Sequence, residues 1–109
     1  MAYDIIAATG CPTGIAHTFM AKKALEMAAE AKGLTIKVET HGQVGVENEL
    51  TPQEIRQAKA VVVAADKDVN AERFSGKPMV STGVSKCLTQ EAAEELIDRA
   101  LAAKPVGTV

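Results

Sequence analysis

The residues best placed to do chemistry fall in one stretch, Cys11-Pro12-Thr13-Gly14-Ile15-Ala16-His17-Thr18. A short apolar run, Ile5-Ile6-Ala7-Ala8, leads into it, and a helical pattern from about Ala16 to Lys32 leads out. Cys11 is thereby expected between the C-terminal end of a strand and the N-terminal end of a helix. The first turn of a helix leaves backbone N–H groups without intrahelical partners. Those donors and the helix dipole favour negative charge. A thiolate there is stabilised, which draws a cysteine pKa from about 8.5 toward or below neutral. The same donors suit the oxygens of a phosphoryl group bonded to the sulfur. Thr13 and Thr18 add hydroxyls that can donate, and Gly14 lets the backbone curl close to an anion. A lone cysteine after an apolar strand is more often a small buried hydrophobe. The Pro-Thr-Gly that follows makes Cys11 a loop residue instead.

The segment from Cys11 to Ala21 resembles the active-site loop of the fructose-type enzyme IIB domain of the bacterial phosphoenolpyruvate-dependent sugar phosphotransferase system. Three further stretches are similar to the same family: Val38-Glu-Thr-His-Gly-Gln-Val-Gly, Ala64-Ala-Asp-Lys-Asp-Val and Arg73-Phe-Ser-Gly-Lys. The likeness runs in order from about Asp4 to Ala103. It implies that Cys11 is a phosphocysteine nucleophile, with Pro12, Thr13, Gly14, Ile15, Ala16, His17 and Thr18 forming the phosphoryl-binding loop. It implies an enzyme IIA partner that donates the phosphoryl group from a phosphohistidine. It further implies a membrane-embedded IIC partner that holds the fructose-like sugar receiving it. The expected place is then the cytoplasm, with membrane association through IIC alone.

Composition sets the outer bounds. The 109 residues suffice for one domain with one core. Hydrophobic residues make up 47% but aromatics only 3%, so Ala, Val, Ile, Leu and Met must build that core. A net charge of −2 argues against nucleic acid as a main partner. No run of 18 apolar residues appears, so no transmembrane helix is expected. The opening Met-Ala-Tyr-Asp lacks a basic segment before an apolar one, so no signal peptide is expected either. Cys11 and Cys87 could pair as far as spacing goes, but the lack of a secretion signal favours reduced thiols, and His17 and His41 stand far apart, with no zinc-like spacing and no cofactor motif.

The elements that must position Cys11 can be read in order. Tyr3 to Ala8 reads as a buried first strand. In the helix that follows, Met20, Ala24, Met27, Ala28 and Ala31 share one face, and Gly33 terminates it. Thr35 to Thr40 alternates into a second strand with one polar face. His41-Gly42-Gln43-Val44-Gly45-Val46 reads as a loop. Thr51-Pro52-Gln53-Glu54 opens a short helix with a capping threonine, proline at the first position and glutamate three after the cap. Ala60 to Ala65 is apolar throughout, as a central parallel strand should be. A short helix is expected around Asn70 to Phe74. Lys77 to Ser81 reads as a fourth strand that Pro78 confines to an edge or a strand start. Thr89 caps a last helix whose apolar face is Ala93, Leu96, Ile97, Ala100 and Leu101. The expectation is a single three-layer α/β domain, with a four-stranded parallel sheet in the order 2-1-3-4 and helices on both faces. Residues 1–103 form the phosphocarrier domain, and 104–109 a linker or tail. Cys11, His41 and Asp66 all fall at C-terminal strand ends, where such sheets place their ligands.

Two rival functions deserve comparison. Phosphotyrosine phosphatases of the low-molecular-weight type also place a cysteine in such a loop, with an Arg six positions on. Here that position is His17, which lacks the guanidinium fork. A regulatory or mononucleotide-binding module is the other rival, but the glycine spacing of a dinucleotide fingerprint is absent. Among single residues, His41 reads as a loop residue near the site, and Asp66 as a cap for the short helix after it. Arg73 and Lys77 read as solvated charges flanking a turn, and Cys87 as core. Phe19 and Ile15 read as a partner-docking patch beside Cys11, with core as the alternative for Phe19. The thiolate expectation has a direct check. Alkylation rate against pH should show Cys11 titrating below about 7.5 and Cys87 well above it. Equal reactivity of the two thiols would refute it.

Overall fold

The computed structural model describes residues 2–12, 16–43 and 45–104. Thr13, Gly14 and Ile15 of the expected loop, and 105–109 of the expected tail, lie outside the described residues. Five strands form one sheet: β1 (Ile5–Gly10), β2 (Ile36–Gly42), β3 (Gly45–Glu47), β4 (Ala60–Ala65) and β5 (Met79–Thr82), in the order β3-β2-β1-β4-β5. β1 pairs in parallel with β2 and β4, and β4 in parallel with β5. The four parallel strands keep the expected order. The fifth corrects the expected count. β3 runs antiparallel to β2, with Thr40 opposite Glu47 and Gly42 opposite Gly45. The segment expected as a loop after Thr40 is therefore the end of β2 and a short edge strand. Its two glycines, poor strand formers, masked it, and Gly45 has φ +117°, a conformation that favours glycine.

The helices are α1 (Ala16–Ala31), α2 (Pro52–Gln57) and α3 (Gln90–Ala102), with 3₁₀ turns at Ala71–Phe74 and Val84–Cys87. α2 begins as expected. Thr51 accepts from the Glu54 amide, and the Glu54 carboxylate accepts from the Thr51 amide. Thr89 likewise caps α3 by accepting from the Ala92 amide. β1 starts two residues later than expected, because Asp4 does not enter the strand ladder. Its carboxylate and amide bond Thr35, just before β2, and its carbonyl accepts from the Lys59 amide, just before β4.

Alternation along the strands divides the core in two. Ile5, Ala7, Val38, Ala60, Val62, Ala64 and Val80 face α1 and α3. Ile6, Ala8, Val61 and Val63 face Leu50, Ile55, Ala58, Val69 and Phe74 on the other side. Alanines on the helices let them lie close to the sheet, as the shortage of aromatics requires.

α1 is rotated from its expected setting. Its buried residues are Thr18, Ala21, Ala24, Leu25, Ala28 and Ala29, while Met20 and Met27 are 48% and 45% exposed. Ala31 is exposed as well. Apolar residues cover more than half of this helix's circumference, so periodicity fits two stripes that share Ala24 and Ala28. The stripe holding Leu25 goes inward because α1 must meet the sheet and α3 together. Leu101 of α3 is likewise exposed rather than part of the inner face. The rotation predicts unequal effects of truncation. Leu25→Ala should cost about 3 kcal/mol of unfolding free energy, and Met27→Ala no more than about 0.5 kcal/mol. Urea unfolding of the two variants measures the difference.

Candidate functional site

The site is assembled where the parallel strands end. Gly10, the last residue of β1, lies opposite His41 of β2 and Ala65 of β4. The Asp66 amide donates to the Gly10 carbonyl at 3.0 Å, which fastens the chain just before Cys11. Thr9 ties the strand to the helix, its hydroxyl donating to the Thr18 carbonyl at 3.1 Å. Thr18, buried in the first turn of α1, donates its own hydroxyl to the Cys11 sulfur at 3.2 Å. A hydroxyl donating to sulfur favours the anionic form over the neutral one. The placement of Cys11 between the end of β1 and the start of α1 is as expected from the sequence. Cys11 itself is 3% exposed. Pro12, Ala16 and His17 are exposed.

Cys87 contrasts with it. It is fully buried in the core, and burial pushes its thiol up to about 12, far from reactivity at neutral pH.

Cys11, the end of β2 and the end of β4 do converge, but two of the expected participants have other work. Asp66 is a cap, though for a later element than expected. Its Oδ1 accepts from the Val84 amide at 3.3 Å, at the start of the 3₁₀ turn after β5. Proximity across the sheet, rather than along the chain, selects that partner. A Cβ on Gly83 would sit 2.8 Å from the same oxygen, so the glycine makes room for the cap. His41 lies on a strand, not in a loop. Its Nε2 is 2.6 Å from Oε1 of Glu39.

Glu39 was missed in the sequence. It occupies the expected polar face of the second strand, yet it is completely buried. Arg73 grips both of its oxygens, with Nη1 donating to Oε2 at 2.8 Å and Nη2 to Oε1. The Leu50 amide donates to Oε2 at 2.8 Å. Arg73 also donates to the carbonyls of Asn70 and Val69, and its guanidinium lies 4.7 Å over the Phe74 ring. Arg73 is thus an internal clamp rather than a solvated charge. Lys77 is also committed, donating to the carbonyls of Arg56 and Ala58 at the C-terminal end of α2. Only the third dimension shows these pairings, since Glu39 and Arg73 are 34 positions apart.

Among the described residues, no group of three or more His, Cys, Asp or Glu side chains could hold a metal ion. No helix among them is long and apolar enough to cross a membrane.

Comparison with known proteins places this geometry among relatives. Residues 6–99 match the family model described as "PTS system, Lactose/Cellobiose specific IIB subunit". The chain is 47% identical over 98 residues to the "PTS system fructose-specific EIIB'BC component" of Escherichia coli K12, covering 90% of this chain and 17% of that protein. It is 47% identical over 90 residues to the "PTS system fructose-like EIIB component 2" of the same organism, covering 82% of this chain and 85% of that protein. The crystal structure of a domain from the fructose-specific IIABC component of Borrelia burgdorferi superposes with a TM-score of 0.86 at 40% identity, covering 97% of this chain and 99% of that one. The chain spans about a sixth of the length of the multi-part relatives it matches.

The Glu39 clamp generates a stability prediction. Burial pushes the Glu39 carboxyl up, but Arg73, the Leu50 amide and His41 outweigh it and hold the carboxyl below its ordinary value. Its contribution is therefore complete above the unfolded carboxylate pKa of about 4.3 and is lost as pH falls through the lower folded value. Arg73→Leu strands a buried carboxylate and should cost about 3 kcal/mol at pH 7. The loss should shrink progressively as the medium is acidified, because the stranded carboxyl of the variant takes up a proton before the clamped wild-type carboxyl does. Chemical unfolding across pH tests both parts.

Proposed function

Because the chain belongs to the IIB family of the sugar phosphotransferase system, within its fructose-type group, we propose that it is a phosphocarrier acting through Cys11. The observation that carries this reading is the hydrogen bond from Thr18 to the Cys11 sulfur, at the junction of a buried parallel strand and a helix start. In the first step the thiolate lone pair attacks phosphorus of a phosphohistidine on enzyme IIA. The S–P bond forms as the P–N bond breaks. The imidazole leaves with that bonding pair, neutral if its other nitrogen carries a proton. In the second step a hydroxyl of the sugar held by IIC attacks the same phosphorus. The S–P bond breaks, sulfur keeps the pair, and the hydroxyl proton passes to a base or to water. Positioning and charge stabilisation are the main demands on the protein in such transfers. The loop from Pro12 to Thr18 and the first turn of α1 would meet them with N–H and hydroxyl donors.

The remaining assignments belong to the same reading. Residues 1–103 are the carrier domain. The partners are IIA and IIC, the sugar is fructose-like, and the place of action is the cytoplasmic face of a membrane, reached through IIC. No cofactor enters either step. His17, exposed in the first turn of α1, stands at the position where phosphatases carry arginine, which favours transfer to a partner over hydrolysis.

Attack by Cys11 needs a path to a sulfur whose residue is 3% exposed. Accessibility is therefore part of the test. Incubation with phosphorylated fructose-type IIA should add one phosphoryl group, which mass spectrometry maps to Cys11 and which Cys11→Ser abolishes. Iodoacetamide should modify Cys11, and not Cys87, without denaturant. A label on a histidine, or a Cys11 that reacts only after unfolding, would overturn the assignment.

A further inference from the structure

The stretch Ala64-Ala-Asp-Lys-Asp-Val leaves β4 beside the site, and Lys67 within it is used by nothing described so far. Gly10, immediately before Cys11, shows where Lys67 lies. A Cβ built on Gly10 would come 3.1 Å from the Lys67 Cγ and 3.2 Å from its Cδ. On the other side it would come 3.2 Å from the His41 Cβ. The missing side chain at Gly10 is thus the slot through which the lysine stem crosses the end of β1. His41 closes the slot from the β2 side, its ring nitrogen engaged by Glu39. The apolar stem of Lys67 therefore lies against Gly10, the residue immediately before Cys11, and the ammonium is the polar tip of that stem.

The charges around Lys67 sharpen its position. No ion pair among the described residues involves it. Its two acidic neighbours each spend an oxygen on a backbone amide, Asp66 on Val84 and Asp68 on Asn70. Arg73 is held by Glu39 and Lys77 by the end of α2. Lys67 is exposed, so its ammonium keeps its freedom to swing toward an anion.

We propose that Lys67 contacts the phosphoryl group as it passes onto and off the Cys11 sulfur. This rests on the carrier reading above and adds a residue to it. Lys67 forms and breaks no bond in either step. Its ammonium neutralises negative charge on the peripheral phosphoryl oxygens while the sulfur–phosphorus bond is partly made. A positive group whose contact is strongest where negative charge develops accelerates such a step more than it tightens ground-state binding.

The test compares wild type, Lys67→Met and Lys67→Arg as full chains, with phosphorylated fructose-type IIA as donor. Labelling of Cys11 is followed by rapid quench across donor concentrations. Lys67→Met should lower the maximal labelling rate about tenfold or more, with half-saturating donor concentration changed less than about threefold. Lys67→Arg should recover most of the rate, since it restores the positive charge. All three should share one thermal midpoint. Equal maximal rates for wild type and Lys67→Met would overturn the proposal. So would a loss confined to donor affinity, which would make Lys67 a docking residue only. A wild type that takes no label on Cys11 would overturn the carrier reading itself and this proposal with it. That outcome is distinct from a labelled wild type with an unaffected variant.

Discussion

β1 pairs with a parallel strand along each edge, and all six of its residues are buried. Parallel pairing of this kind leaves no freedom in register, because a slip of one residue would exchange the two faces of the strand. Ile5 and Ala7 would then leave the α1–α3 side, and Ile6 and Ala8 the side of Phe74. The apolar content of both faces therefore fixes where Gly10 ends. The end of Gly10 fixes in turn where Cys11 begins, and which residues of β2 and β4 lie beside it. The site is a consequence of hydrophobic register before it is anything else.

Small residues make that register usable. Four of the six buried residues of α1 are alanines, so the helix approaches the sheet closely enough for Thr9 to reach the carbonyl of Thr18. Larger side chains in the same stripe would lift the first turn away from the strand end. The donation from Thr18 to the Cys11 sulfur would then be lost. The shortage of aromatic residues is consistent with this need for close approach.

The opposite face solves a different problem. β2 buries Glu39 completely, and a buried carboxylate is costly unless fully bonded. Arg73, Leu50 and His41 supply those bonds from three different segments. A single carboxylate so draws the β2–β3 hairpin, the start of α2 and the turn after β4 toward one point. Such a cluster is weak evidence of net stability, since apolar packing of the same volume often serves stability as well. It also sets His41 against Gly10.

Local signals were legible in the sequence wherever a short stretch contains its own cause. The capping box at Thr51, the apolar run of β4 and the strand–loop–helix setting of Cys11 all follow from neighbours within a few residues. The ordered resemblance to the IIB family was legible for the same reason, since motifs are local. Four things were decided only by the tertiary structure. The rotation of α1 was chosen by what lies against it, because its own apolar surface allowed two stripes. The short β3 became a strand only by pairing with β2. Asp66 found its amide across the sheet at Val84. Glu39 and Arg73 read as two exposed charges until the fold buried the carboxylate and set the guanidinium 2.8 Å from it. Charge carries no periodicity that announces its partner, and burial is a property of the whole chain's packing rather than of any segment.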